Sequence, residues 1–328
     1  EYVARVKELG MDSAAITDHG VMYGVIDFYR AAREAGINPI LGCEVYVAPG
    51  SRFDREVGSG DDRYYHLVLL AENNQGYSNL MKIVSKAFVE GFYYKPRVDL
   101  ELLEKYHEGI IALSACLAGE VARYLARGMY EDAKIAALRY QDIFGKGNFF
   151  LELQDHGIPE QQTVNQQLLR MHRETGIDLV ATNDVHYTMA EDAEPHDVLL
   201  CLQTQKKLSD ENRMRYEGGQ YYVKSEEEMK HLFPYALEAL ENTHKIAMRC
   251  NVEIEFGVTK IPQFDVPGGK TSWEYLNELC TAGLEKRYPK DDGSLRKRLD
   301  YELSVIQSMG YVDYFLIVWD FIHFARSH

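Results

Sequence analysis

Three short polar motifs in this chain carry side chains that can bind metal ions. Residues 17–20 (Thr-Asp-His-Gly), 42–44 (Gly-Cys-Glu) and 183–186 (Asn-Asp-Val-His) each close a short apolar run. Imidazole and carboxylate groups in combination suit zinc, manganese or iron. Several such ligands around one cleft would form a multinuclear hydrolytic site, which activates water and holds the oxygens of a phosphoryl displacement.

Each motif has a second interpretation that its residues leave open. Asp184 and His186 are two residues apart and can face one cleft, but Asp184 can also cap the next helix. Glu44 stands in an apolar run, where a carboxylate is costly unless paired or coordinated; an edge position facing solvent is the alternative. His19 is a candidate ligand with Asp18 as a supporting acid, and the alternative is a polar strand-to-helix turn.

For four further candidate metal ligands, spacing alone gives less support. Cys116 closes an apolar run that begins at Ile110, but a buried structural cysteine is the commoner case. His66 stands at the beginning of its predicted strand rather than at the end. Asp155 and His156 close a fifth, looser run and are the weakest candidates.

A basic and aromatic segment, residues 91–97, is predicted to be a loop. Its Lys95 and Arg97 could hold a phosphate by charge and bidentate hydrogen bonding, and a solvated loop is the equal alternative. The sequence contains no P-loop, no Gly-x-Gly-x-x-Gly and no Gly-x-Ser-x-Gly motif. Their absence argues against a nucleotide kinase, a Rossmann enzyme and a serine hydrolase.

The elements that must position these residues alternate along the chain. Apolar runs begin at Gly10, Gly36, Gly109 and Gly176, each after a helical stretch. Glycine ends a helix because it adopts the left-handed backbone without a Cβ penalty. A short apolar run between helices predicts a strand buried on both faces. Alternating strands and helices predict a parallel sheet or barrel, with ligands at the carboxyl ends of the strands.

Helical spacing is found over residues 22–35, 76–90, 120–127, 130–144 and 159–175. Capping boxes at Ser225 and Thr271 predict two further helices, running to Cys250 and Arg287.

The remaining segments predict connections and one domain boundary. Residues 48–62 are predicted to form a mobile loop and residues 203–222 an extended connection. Prolines and paired glycines between residues 256 and 270 indicate a boundary. We therefore expect one domain over 1–258 and a second, helical one over 259–328.

Composition narrows the class of protein. The 328 residues are 46% apolar and carry a net charge of -15, so a strong non-specific nucleic-acid binder is not expected, although local basic clusters can act inside a cleft. Five scattered cysteines without a Cys-x-x-Cys pair argue against a zinc ribbon and indicate a reducing cytosol. The chain has no secretory signal and no apolar run of transmembrane length, so we expect a cytoplasmic protein without a membrane partner.

Taken together, the motifs resemble the polymerase-and-histidinol-phosphatase (PHP) domain, in the version at the front of bacterial DNA polymerase III alpha subunits. The resemblance rests on residues 17–20, 42–44, 65–67, 91–97, 113–116 and 181–186. The tail over residues 301–319 is similar to the helical entry into the polymerase palm, which a stand-alone histidinol phosphatase would not be expected to carry.

The resemblance implies an α/β fold, a distorted (βα)7 TIM-like barrel followed by a helical segment leading into the palm. It implies up to three zinc or manganese ions held by His19, Glu44, His66, Cys116, Asp184 and His186. Asp18, Lys95 and Arg97 would act at the same site, with Lys95 or Arg97 neutralising the phosphate.

The chain departs from the family pattern at its start. The family's first strand brings a His-x-His pair and an acid, whereas no His-x-His occurs here and the chain begins at Glu1 without a methionine. We therefore expect a fragment that begins after the first strand. The paired catalytic aspartates of the polymerase and their magnesium ions would also lie outside these residues.

The implied function is that of a fragment of a replicative DNA polymerase, whose PHP domain is a metal-dependent phosphoesterase acting as a 3′-5′ exonuclease. The partners would be primer-template DNA and deoxynucleotides, together with a sliding clamp and a proofreading subunit. Two alternatives remain: a metal-stabilised scaffold or docking domain without turnover, and a small phosphoester hydrolase of the histidinol phosphatase type.

Overall fold

The computed structural model describes residues 1–56, 63–258 and 260–328. They form two compact units, residues 1–253 (unit 1) and residues 254–328 (unit 2). The division falls slightly before the predicted boundary between residues 258 and 259. Of the loop predicted over residues 48–62, residues 57–62 lie outside the described part of the chain.

Unit 1 is built on one mixed sheet that curves into an open half-barrel, with eight strands among the described residues. The strands are β1 (Ser13–Ile16), β2 (Asn38–Val47), β3 (Tyr65–Ala71), β4 (Phe92–Tyr93), β5 (Lys95–Val98), β6 (Ile110–Leu113), β7 (Phe149–Leu153) and β8 (Leu179–Ala181). Their order is β4-β5-β2-β3-β6-β7-β8, and β1 pairs with the first half of β2. The predicted α/β class and distorted barrel are confirmed.

Strand direction differs from the prediction in one place that matters for the site. The pairs β1–β2, β2–β5, β6–β7 and β7–β8 are parallel. Strand β3, however, runs antiparallel to both of its neighbours, β2 and β6. The expectation of a uniformly parallel sheet is therefore wrong. A strand buried on both faces has the same apolar run in either direction, so its sequence does not report the direction.

The segment predicted as a loop over residues 91–97 is instead a tight hairpin. Strands β4 and β5 pair antiparallel, with Tyr94 at the turn between them. Tyr94 has a φ of 60°, in the left-handed region that non-glycine residues rarely adopt. Strand β5 then adds its end to the edge of β2, where Arg97 faces Tyr46.

The helices of unit 1 surround the sheet. They are α1 (Tyr2–Glu8), α2 (Val25–Ala35), α3 (Asn74–Val89), α4 (Leu100–Tyr106), α5 (Glu120–Ala126), α6 (Tyr130–Phe144), α7 (Pro159–Thr175), α8 (Ala193–Thr204), α9 (Glu226–Leu232) and α10 (Leu237–Arg249). The single helix predicted from Ser225 to Cys250 is two helices, α9 and α10. Pro234 lies in the break, where its missing N–H and its ring disfavour a continuous helix.

Strands β1 and β8 do not pair with each other, so the half-barrel is open between them. Helix α10 packs against both strands at this opening. Asn242 donates a hydrogen bond to the Leu179 carbonyl of β8 at 2.8 Å. Asn38, at the start of β2, donates to the Ala247 and Cys250 carbonyls at 3.0 and 3.1 Å. The apolar core behind the site contains Ile40, Val68, Leu70, Ile111, Leu113, Ala115, Phe150, Val180, Ile246, Ala247 and Cys250.

Unit 2 contains α11 (Ser272–Arg287), α12 (Ser294–Ser308) and α13 (Val312–Ser327). Its core is built around Leu276, Leu303 and Leu316. The capping box predicted at Thr271 is present, with its hydroxyl accepting from the Glu274 amide. Among the described residues no single helix is long and apolar enough to cross a membrane; α12 and α13 meet that test only as a pair bent by 114°.

Candidate metal centre

Three adjacent strands bring together His19, Glu44 and His66, the candidate metal centre. His19 follows β1 and pairs in parallel with Glu44 of β2 in an isolated bridge. The Glu44 amide donates to the Asp18 carbonyl at 3.0 Å, and the Gly20 amide donates to the Glu44 carbonyl at 2.9 Å. These backbone bonds hold the histidine and the carboxylate side by side.

His66 reaches the same edge because β3 is antiparallel. It lies opposite Tyr46, while Glu44 lies opposite Val68 on the neighbouring strand. Residues two apart on a strand share a face of the sheet, so His66 and Glu44 point to the same side. The beginning of an antiparallel strand meets the carboxyl ends of its parallel neighbours, which explains why His66 did not fit a strand-end rule.

The ligand atoms of the three residues all lie within 4.8 Å of one another. His19 Nδ1 is 3.7 Å from Glu44 Oε1, and His66 Nδ1 is in close contact with the same oxygen. Glu44 Oε1 is nevertheless buried without a hydrogen bond of suitable direction. A buried carboxylate oxygen that faces two imidazoles without a hydrogen bond fits a place where a cation binds.

The other three predicted ligands lie beside this centre. Cys116 Sγ is 3.7 Å from His66 Nδ1. The His186 ring centroid is 5.9 Å from that of His19. His186 Nδ1 is 2.7 Å from the Asp184 carbonyl oxygen and 3.8 Å from Asp184 Oδ1. The fold therefore gathers all six residues at one edge of the sheet, and their role as metal ligands remains a prediction.

Two of the turns that carry these residues have unusual backbone geometry. Ala115, next to Cys116, has a φ of 63°, and Asp184 has a φ of 45°. A non-glycine residue in this region costs roughly 1–3 kcal/mol and persists only where its surroundings hold it. The turns that direct Cys116, Asp184 and His186 are thus held by the surrounding structure.

Glu152 on β7 is a buried carboxyl group that the sequence analysis missed. Its Oε2 accepts a hydrogen bond from the Ala115 amide at 2.9 Å. Its Oε1 accepts from Thr182 Oγ1 at 2.5 Å and from Gln154 Nε2 at 3.2 Å. Burial raises the pKa of Glu152 to about 7, although the Thr182 hydrogen bond lowers it. Glu44 was identified as a candidate because a charged residue stands inside an apolar run. Glu152 stands in an apolar run in the same way, so the same signal could have identified it.

His156 is a supporting residue and lies behind the site. It is buried, its Nε2 donates to the Asn183 carbonyl at 2.9 Å, and its Nδ1 accepts from Gln161 Nε2 at 2.9 Å. Its ring stacks on Tyr221 at 3.9 Å. The Asn183 side chain in turn accepts from Lys224 Nζ at 3.2 Å. This network fixes the segment that leads into Asp184.

His196 on α8 is a second residue that sequence reasoning missed. Its ring centroid is 5.7 Å from that of His186 and 5.2 Å from that of Tyr216. Burial lowers the pKa of His196, and the neighbouring charge of His186 lowers it further. No local spacing links α8 to the motif at residues 183–186, because the contact is made by the fold.

The two basic residues predicted to bind phosphate have different surroundings. Lys95 Nζ lies 5.4 Å from the centre of the Tyr46 ring, which stacks on His19 with 6.3 Å between ring centroids. Arg97 is fully buried and donates to the carbonyls of Gly91 at 3.2 Å and Asp54 at 2.5 Å. Lys95 is therefore beside the centre, whereas the Arg97 guanidinium is committed to holding backbone, which corrects its predicted phosphate contact.

Asp18 is exposed, and its carboxylate accepts a hydrogen bond from the Gly24 amide, just before α2 begins. Burial raises the pKa of Asp18, while the charge of His19 and the Gly24 hydrogen bond lower it. Asp18 therefore holds the turn between β1 and α2, which is the alternative interpretation of this motif. Because Asp18 also precedes His19 directly, this hydrogen bond does not exclude its predicted role as an acid that supports His19.

Charge interactions within the centre set its protonation. Burial raises the pKa of Glu44, but contact with His66 and the charges of the nearby histidines outweigh burial and lower it below the ordinary value. Partial burial lowers the pKa of His19, although Glu44 raises it. Burial raises the pKa of Asp184 to about 6, against the lowering effect of His186. Near neutral pH Glu44 and the neighbouring Asp184 are therefore ionised and the His19 imidazole is neutral, which are the forms that bind metal.

A cavity of about 590 Å³ opens beside the centre inside unit 1. Its polar wall includes Asp18, His19, Asp184 and His186, and its apolar wall includes Ile40. The candidate ligands therefore face a space large enough for a small substrate group.

An α/β half-barrel with histidine, carboxylate and thiol side chains gathered at one edge of its sheet is the arrangement that the PHP resemblance implies. The PHP domain family model matches residues 1–156. The model of the bacterial DNA polymerase III alpha NTPase domain matches residues 274–328. Over these two stretches the chain is similar to the PHP domain and to bacterial DNA polymerase III alpha subunits.

Curated relatives are similar over nearly the whole chain. The DNA polymerase III alpha subunits of Treponema pallidum, Borreliella burgdorferi and Thermus aquaticus are 46%, 44% and 40% identical over 99%, 100% and 96% of this chain. The chain spans 28%, 29% and 31% of their lengths.

A solved amidohydrolase from Chromobacterium violaceum, with bound sulfate and no metal, is also similar. It is 14% identical, with a TM-score of 0.35, over 55% of this chain and 78% of that one. A similarity this low does not establish a shared site.

Proposed function

We propose that residues 1–253 are a metal-dependent phosphoesterase that hydrolyses the terminal phosphodiester at a DNA 3′ end. The observation that carries the proposal is Glu44 Oε1, which is buried without a hydrogen bond among ligand atoms within 4.8 Å of one another. Two imidazoles, a carboxylate and the adjacent Cys116 thiol form a donor set suited to zinc, and carboxylate with imidazole also suits manganese.

Zinc or manganese would be held by His19, Glu44, His66, Cys116, Asp184 and His186. A divalent ion bound there supplies a Lewis acid for the phosphoryl oxygens and lowers the pKa of water. The chain's own residues orient the substrate. Lys95 provides a positive charge beside His19 that can hold a phosphate oxygen. The buried hydrogen bonds of Glu152 and His156 keep the ligand-bearing turns rigid.

We further infer that this chain is part of a replicative polymerase that carries out DNA-directed DNA synthesis. The matched relatives are DNA polymerase III alpha subunits, and their additional length would supply the polymerase aspartates and magnesium ions. Primer-template DNA, deoxynucleotides, a sliding clamp and a proofreading subunit would then be partners of the whole protein. Its location would be the bacterial cytoplasm.

The test combines elemental analysis of the purified protein with cleavage of end-labelled DNA that carries a mispaired 3′ terminus. We expect bound zinc or manganese and cleavage that is lost on chelation. Glu44→Gln should lose both, whereas Glu34→Gln, on the exposed side of α2, should lose neither. Cleavage that survives both chelation and Glu44→Gln contradicts the proposal. Bound metal that raises thermal stability without any cleavage would instead support the scaffold alternative.

A further inference from the structure

The tip of the β4–β5 hairpin presents an aromatic ring to solvent. Tyr94 is 65% exposed and has a φ of 60°. The neighbouring Tyr93 ring packs edge-on against it, with 4.7 Å between ring centroids. A large exposed aromatic side chain on a strained, tight turn is held in a defined position with one surface open.

A cation covers part of the same ring. The Arg63 guanidinium carbon lies 4.4 Å from the centroid of the Tyr94 ring, within the range of a cation–π contact. An aromatic ring and a planar guanidinium both stack on nucleobases, and the guanidinium also binds phosphate.

Two short paths join this pair to the candidate metal centre. Tyr64 follows Arg63, and its ring stacks on His66 with 6.0 Å between centroids. Lys95 follows Tyr94 and lies over the Tyr46 ring, which stacks on His19. Arg63 is therefore next in sequence to Tyr64, which contacts His66. Tyr94 is next to Lys95, which reaches His19 through the Tyr46 ring.

Two basic residues, Arg63 and Lys95, stand next to Tyr94 or over its ring, although the chain as a whole is acidic. The net charge is -15, which disfavours contact with a polyanion over most of the surface. At the hairpin, the Arg63 guanidinium instead lies over the exposed Tyr94 ring, and Lys95 is the next residue along the chain. Stacking on aromatic rings tolerates any base, because every base has a π face.

From this juxtaposition we propose that Tyr94 and Arg63 form a stacking platform for an unpaired nucleobase of single-stranded DNA whose 3′ end enters the candidate metal centre. The inference rests on the proposed phosphoesterase function and adds the form of its substrate. The strand would be held by one base on the platform and by its phosphates near Lys95. The platform would select unpaired ends over paired ones without selecting a sequence.

The test measures binding of a fluorescent single strand to this chain, at low salt and with a chelator that prevents cleavage. A single abasic nucleotide is moved along the 3′-terminal part of the strand. We expect one abasic position to weaken binding to the unsubstituted chain roughly tenfold, in line with the stacking of one base. Tyr94→Ala should weaken binding of intact DNA by a similar factor and abolish the sensitivity at that position. Tyr94→Phe should keep both the affinity for intact DNA and the sensitivity to the abasic nucleotide at that position.

A matched control is available in unit 2. Tyr301 on α12 is 60% exposed, and the Arg298 guanidinium carbon lies 5.6 Å from its ring centroid. Tyr301→Ala removes an equivalent exposed pair and should leave the binding profile unchanged. Thermal unfolding of each variant checks that the fold is retained.

The same abasic profile for the unsubstituted chain and for Tyr94→Ala would overturn the platform. Failure of the phosphoesterase proposal is detected separately, because the unsubstituted chain would then show no chelator-sensitive hydrolysis of a small chromogenic phosphodiester. If the unsubstituted chain hydrolyses that compound but shares its abasic profile with Tyr94→Ala, the platform is rejected and the phosphoesterase proposal stands.

Discussion

Glu152 Oε2 accepts a hydrogen bond from the Ala115 amide at 2.9 Å, which ties β7 to the strained turn before Cys116. The other oxygen of the same carboxyl group accepts from Thr182 at 2.5 Å, two residues before Asp184. One buried side chain therefore connects the two turns that carry half of the predicted ligands. Its protonation state and its removal should both have measurable effects.

Glu152→Gln should change the pH dependence of stability. Burial raises the pKa of Glu152 from its ordinary 4.5 to about 7, so the folded state binds a proton more tightly than the unfolded state does. The stabilisation that Glu152 contributes to the unsubstituted chain is fully present below its ordinary pKa of 4.5 and is lost as the pH rises through about 7. Glutamine does not titrate, so the variant should gain relative stability of at most about 3 kcal/mol over this range.

The measurement is urea unfolding of both proteins with chelator present, at several pH values across that window. A stability difference between them that does not vary with pH would contradict the raised pKa of Glu152.

Glu44→Gln should abolish stabilisation by metal. An ion that binds only the folded state raises the unfolding temperature by mass action. Loss of even an outer-shell partner of a metal costs roughly 10–100-fold in affinity, and we expect at least that for Glu44. Thermal unfolding with and without zinc or manganese measures the effect. His231→Ala, on the exposed surface of α9, is the control, and an unchanged metal response in Glu44→Gln would exclude Glu44 as a ligand.

Arg97→Ala and Lys95→Ala should affect different properties. Arg97 holds the carbonyls of Gly91, Arg52 and Asp54 in a fully buried position. Leaving buried acceptors unpaired costs about 1–3 kcal/mol each, so Arg97→Ala should lower the free energy of unfolding by at least about 2 kcal/mol. Lys95→Ala should change stability by less than about 0.5 kcal/mol and instead lower kcat/KM for phosphoester cleavage.

Unfolding free energies and cleavage rates measured on the same preparations separate these two roles. Equal loss of stability in the two variants would contradict the buried role assigned to Arg97.

Gly20→Ala should disturb the centre, whereas Gly36→Ala should not. Both glycines have a positive φ, of 68° and 75°, so both substitutions carry a backbone cost of about 1–2 kcal/mol. At Gly20 an added Cβ would also lie 2.9 Å from Tyr46 Cε2 and 3.0 Å from Pro96 Cγ, whereas at Gly36 it would meet nothing within 4 Å. We expect only Gly20→Ala to weaken metal binding, because it displaces the neighbouring His19. Calorimetric titration with zinc would test this, and equal affinities in both variants would refute it.

The sequence by itself determined most of the helices and the identity of most candidate ligands. The helix-ending glycines at Gly36 and Gly176 adopt the left-handed backbone that their positions predict. The capping boxes at Ser225 and Thr271 form as predicted. These features depend on residues a few positions apart, and so local spacing is sufficient to identify them.

Only the tertiary structure decided the direction of β3 and, with it, the place of His66 beside Glu44. It also decided that Arg97 is buried, that Lys95 lies beside His19, and that Glu152 joins two ligand turns. Apolar periodicity reports that a segment is buried but not which way a strand runs or which distant side chain it meets. Those outcomes depend on contacts between residues far apart in sequence, which local patterns do not encode.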